Sequence, residues 1–107
     1  MTRTLFVKRR KQMTGSIVPY GIVWLRVSEP VPANIEDWHG KVKVKNGDTA
    51  CLEIPTDAVT LMVMGGTKAL GFCTCTIPAG TGVVNAEVYM GMGAVKGKMK
   101  IDLDVGN

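Results

Sequence analysis

Met99-Lys100-Ile101-Asp102-Leu103-Asp104-Val105 alternates apolar and charged residues without a break. A strict period of two is the mark of a β-strand with one face in a core and the other in water. Met99, Ile101, Leu103 and Val105 fall on one side, while Lys98, Lys100, Asp102 and Asp104 fall on the other. Working back from this strand, the same period recurs over residues 3–9, 20–27, 41–45, 49–54, 58–64, 69–76 and 83–90, between Gly, Pro and Asn punctuation. Helical spacing is nearly absent. The expected fold is all-β, an immunoglobulin-like antiparallel β-sandwich of about seven strands, or eight if every run pairs.

The chain has 107 residues, of which 46% are apolar and 21% charged. That length suits one core, and the composition is too apolar for a disordered chain. A single domain over residues 1–107 is expected.

Two connections are predicted as hairpins. Asn46-Gly47, between residues 41–45 and 49–54, has the composition of a type I′ turn. The second joins residues 58–64 to 69–76 across Gly65, Gly66, Thr67 and Lys68, with Met64 opposite Ala69, Val63 opposite Leu70 and Leu61 opposite Phe72. This register sends Leu61, Val63 and Phe72 into a core with Val59, Val84, Ala86, Val88, Ile101 and Leu103. It leaves Met62, Met64, Cys73 and Cys75 on the other face, together with Thr60 and Gly71. A soluble domain covers such a soft face. The cover is either the long connection 28–40, which carries Trp38 and His39, or a second subunit. Pro30, Pro32 and Asn34 keep that connection out of regular structure, apart from one turn at residues 35–38.

With the strands placed, Met13-Thr14-Gly15-Ser16, Pro19-Tyr20, Val44-Lys45-Asn46-Gly47-Asp48 and Leu52-Glu53-Ile54-Pro55 resemble a group of small bacterial immunoglobulin-like β-sandwich proteins of unknown function. The resemblance implies a sandwich fold and no particular activity. In that pattern the second strand ends in a short Asp-Gly turn, whereas here it runs into the 28–40 connection.

No catalytic, metal or cofactor signature emerges. His39 lies two residues from Asp37, but a triad needs a placed nucleophile and a zinc site needs three or four ligands. Cys73, Cys75, Met62 and Met64 offer soft sulfur of the kind that selects Cu(I), without Cys-x-x-Cys or His spacing beside it. Residues 91–98 fail both the Walker and the dinucleotide glycine patterns. The three cysteines, Cys51, Cys73 and Cys75, are an odd number, and no signal-peptide core or apolar run of membrane-spanning length occurs. Reduced thiols and a cytoplasmic location are the expectation.

Lys8, Arg9, Arg10 and Lys11 form a basic cluster, and Lys41, Lys43 and Lys45 form a stripe along one strand. Both fit solvated edges guarded against aggregation, and they are also the candidate patch for nucleic acid. The net charge is only +4. The expected function is therefore a non-enzymatic interaction or structural module with a protein partner or a second copy of itself. The alternative is a nucleic-acid-binding small β-barrel using the basic residues.

Overall fold

Alternation builds the first strand: β1 (Thr2–Arg9) buries Arg3, Leu5, Val7 and Arg9 and turns Thr4, Phe6 and Lys8 outward. A computed structural model describes residues 1–11, 18–65, 71–90 and 99–105. Among these residues the further strands are β2 (Tyr20–Arg26), β3 (His39–Val44), β4 (Thr49–Pro55), β5 (Val59–Met64), β6 (Phe72–Ile77), β7 (Val84–Met90) and β8 (Met99–Val105), with one 3₁₀ turn at Ile35–Asp37. They form two four-stranded sheets, ordered β4-β1-β7-β8 and β3-β2-β5-β6. The protein is thus an all-β sandwich with eight described strands rather than seven. Among the described residues no helix is long and apolar enough to cross a membrane.

Apolar residues from the two inner faces meet in one cluster, including Leu5, Val7, Ile22, Leu52, Leu61 and Val88. Burying each of these side chains contributes about 1.5–3 kcal/mol relative to leaving it in water. Pairing is antiparallel except between β1 and β7, which run parallel with Leu5 opposite Val84. The order also places β1 and β2 in opposite sheets, whereas a constant-type immunoglobulin domain pairs its first two strands.

Two expected hairpins are corrected. Residues 41–45 and 49–54 do not pair, because β3 and β4 belong to different sheets. Asn46-Gly47 instead carries the chain from one layer to the other, closed by the Asp48 N–H donating to the Lys45 carbonyl at 3.0 Å. Gly47 has φ of +81° and Asn46 lacks positive φ, so the turn is not type I′.

The second correction concerns register. Leu61 lies opposite Cys75, Val63 opposite Cys73 and Met64 opposite Phe72. This pairing is displaced by an odd number of residues from the expected one, which exchanges the two faces of β6. Phe72 is therefore 68% exposed, while Cys73 and Cys75 pack against the main core and Ile77 is fully buried. Facing inward, β6 half-buries Cys73 and Cys75 and fully buries Ile77, and facing outward it exposes Phe72 and two threonines. More apolar surface leaves water in this register than in the reverse. The expected turn residues 66–68, with Ala69 and Leu70, lie outside the described residues.

The register is open to direct measurement. Leu61→Ala should cost about 2–5 kcal/mol through lost burial and a cavity. Phe72→Ala should change stability by less than about 0.5 kcal/mol, as surface substitutions do. Urea titration of both variants checks the pair, and the reverse ranking would return Phe72 to the core.

Candidate functional site

Val23 and Leu25 alternate outward from β2 and meet Met62 from β5, and Trp38 closes over them. The four are at most 9% exposed, with Met64 partly buried beside them. The connection after β2 is what brings Trp38 back across its own sheet. Within it the 3₁₀ turn is closed by the Trp38 N–H donating to the Ile35 carbonyl at 3.1 Å. Trp38 thereby joins Met62 and Met64, whereas Cys73 and Cys75 are removed from this face by the register of β6. The soft face is covered internally at Met62, and its open remainder is Met64 with the exposed Phe72 across from it.

Beside this cover lies a shallow groove of about 170 Å³, whose lining includes Gly21, Val23, Ile35 and Met64 together with Lys41, Lys43 and Glu36. Its shape depends on a β-bulge. Ile22 pairs with Val42 but Trp24 pairs with His39, so Gly40 and Lys41 together oppose Val23. Gly40, at φ of +93°, runs so close to Trp24 that a Cβ would lie 3.0 Å from the indole Cδ1. Lys41 takes the other positive φ, +43°.

His39 does not engage Asp37. Its Nε2 lies 3.0 and 3.1 Å from the two carboxylate oxygens of Glu29, and its ring packs on Trp24 with centroids 4.5 Å apart. Glu29 also accepts the Arg26 backbone N–H at 2.9 Å. That bond, followed by the His39 contact, holds its carboxyl below the usual range. The pair latches the start of the connection to its end. Glu29 was missed because it stands ten residues before His39, and only the return of the loop brings them together.

The basic cluster is split by the strand that carries it. Lys8 and Lys11 are exposed, but Arg9 is buried, donating to the carbonyls of Val18 at 2.8 Å and Val44 at 3.2 Å, with its guanidinium 3.6 Å above the Tyr20 ring. Arg9 thus leaves the candidate patch. Arg10 pairs with Glu87 at 2.7 Å and stacks on Tyr89. Lys41, Lys43 and Lys45 are exposed as a stripe on the edge strand β3 and the residue after it.

The outer face of the other sheet carries a wider groove of about 500 Å³ around the partly exposed Phe6. Lys8, Glu87, Asp102 and Asp104 line it, with Asn85 and Thr49. Cross-strand register aligns Phe6 with Asn85 and Asn85 with Asp104, and Lys8 with Glu87 and Glu87 with Asp102.

Among the described residues no group of three or more His, Cys, Asp or Glu side chains could hold a metal ion. The glycine-rich residues 91–98 lie outside the described residues. Burial pushes the Cys75 thiol up to about 11, with neighbouring Cys73 adding to the shift. At neutral pH it is a packed thiol rather than a thiolate ligand or nucleophile. Comparison with family models, with curated proteins and with solved structures gives no match.

Two outcomes follow. Met62→Lys should destabilise the isolated chain by more than about 1 kcal/mol, since it drives a charge beneath Trp38; a melting curve unchanged from the parent would contradict the internal cover. A thiol raised by folding stays protonated longer than in the unfolded chain, so stability should fall as pH climbs from the ordinary value near 9 towards 11. Denaturation across that window should show a fall that Cys75→Ala reduces.

Proposed function

We propose that this chain is a non-enzymatic interaction or structural module of immunoglobulin-like type, working in a reducing compartment such as the cytoplasm. One observation carries the reading: polar groups that could do chemistry are spent on the fold. His39 and Glu29 latch the long connection, while Arg3 and Arg9 bind backbone carbonyls. Among the described residues, two charged grooves lie open to solvent on the outer faces of the two sheets. Complementary charge and shape are how grooves of this kind recognise a partner.

The nucleic-acid alternative draws on Lys8, Lys11, Lys41, Lys43 and Lys45. An anisotropy titration with a mixed-sequence single-stranded oligonucleotide separates the two. The module reading expects binding no tighter than the non-specific range of about 10⁻⁴–10⁻⁶ M. Binding tighter than about 10⁻⁶ M, falling steeply with salt, would favour the alternative.

A further inference from the structure

The two grooves are opposites in charge. On the β8 side, Asp102 and Asp104 are exposed two residues apart on an edge strand, in a groove that also holds the aromatic Phe6 beyond the intervening β7. On the β3 side, Lys41 and Lys43 are exposed two residues apart on an edge strand, next to Ile35, which is 40% exposed. Residues two apart on a strand stand about 7 Å from one another, so carboxylates and ammonium groups have comparable pitch. The minority charges also match, since Lys8 lines the acidic groove and Glu36 the basic one. Glu87 is already engaged by Arg10, and Asp102 accepts from the Tyr89 hydroxyl.

We propose that the partner is a second copy of this chain, the Lys41–Lys43 groove of one copy docking on the Asp102–Asp104 groove of the next. This rests on the module reading above and names its partner. The grooves lie on the outer faces of different sheets, so one contact leaves a free groove of each sign at the ends of the pair. Association is then head to tail and extends beyond a dimer, unlike a two-fold contact that closes on itself. The net charge of +4 opposes approach at long range, but at about 0.1 M salt the Debye length is about 10 Å and the facing charges dominate.

Sedimentation velocity on the full chain tests this. At about 0.1 M salt the weight-average mass should rise with concentration past that of a dimer, and at about 1 M salt it should fall back towards a monomer. Asp102→Lys/Asp104→Lys and Lys41→Glu/Lys43→Glu should each weaken association by at least about tenfold, with melting temperatures close to the parent's because the residues are exposed. Mixing the two variants should restore it, because the reversed faces again complement each other. A parent that stays monomeric at both salts, association that stops at a dimer, or association indifferent to both variants overturns the inference. A monomer that also fails to bind the oligonucleotide leaves the module reading standing, whereas a monomer that binds it tightly removes both.

Discussion

β1 is the strand on which both layers depend, and its inward face reads Arg3, Leu5, Val7, Arg9. The two apolar residues fill the middle of the core and the two arginines close its rims. Arg3 donates to the carbonyls of Gly82 at 2.7 Å and Pro78 at 3.1 Å, which fixes the connection between β6 and β7. Arg9 does the same at the other end, for the approach to β2 and the end of β3. Guanidinium groups suit this task because several donors in one plane satisfy carbonyls that a connection would otherwise bury. Gly80 shows how closely the loop is drawn in, since a Cβ there would lie 2.9 Å from an Arg3 nitrogen. β1 also holds β4 on one side and β7 on the other, so its placement sets that whole sheet.

The opposite sheet owes its exposed chemistry to one long connection. Latched by Glu29 and His39, the connection lays Trp38 over Val23, Leu25 and Met62 and leaves Ile35 at the edge of the basic groove. The bulge at Gly40 and Lys41 makes room against Trp24 and breaks the regular ladder of an edge strand. Lysines and bulges on an edge discourage strand-to-strand pairing, which leaves recognition to side chains in the groove.

Strand positions were legible because alternation is a local property; the runs read at residues 3–9, 20–27 and 83–90 match β1, β2 and β7 within a residue at each end. Register and partnership were not, because they depend on connections. Stopping the sixth run at Thr76 omitted Ile77, and with Ile77 included the inward side of β6 is Cys73, Cys75 and Ile77. Asn46-Gly47 carries a turn signal without saying whether the strands beside it pair or change layer. Arg3 and Arg9 stand in phase with Leu5 and Val7, but Arg9 reads as part of the basic cluster and the carbonyl partners of both are distant in sequence. Of the candidate site, Trp38, Lys41 and Lys43 were visible as loop and edge residues, while Glu29 and the groove around Phe6 required the fold.

If buried arginine at the rims holds the layers in place, a conservative replacement should be costly. Arg9→Lys keeps the charge but loses the planar fork that reaches Val18 and Val44 while stacking on Tyr20. Urea denaturation should show a loss of at least about 1.5–3 kcal/mol, the range for hydrogen bonds to a charged group. A variant within about 0.5 kcal/mol of the parent, as an ordinary surface substitution would be, would contradict the central place given to β1.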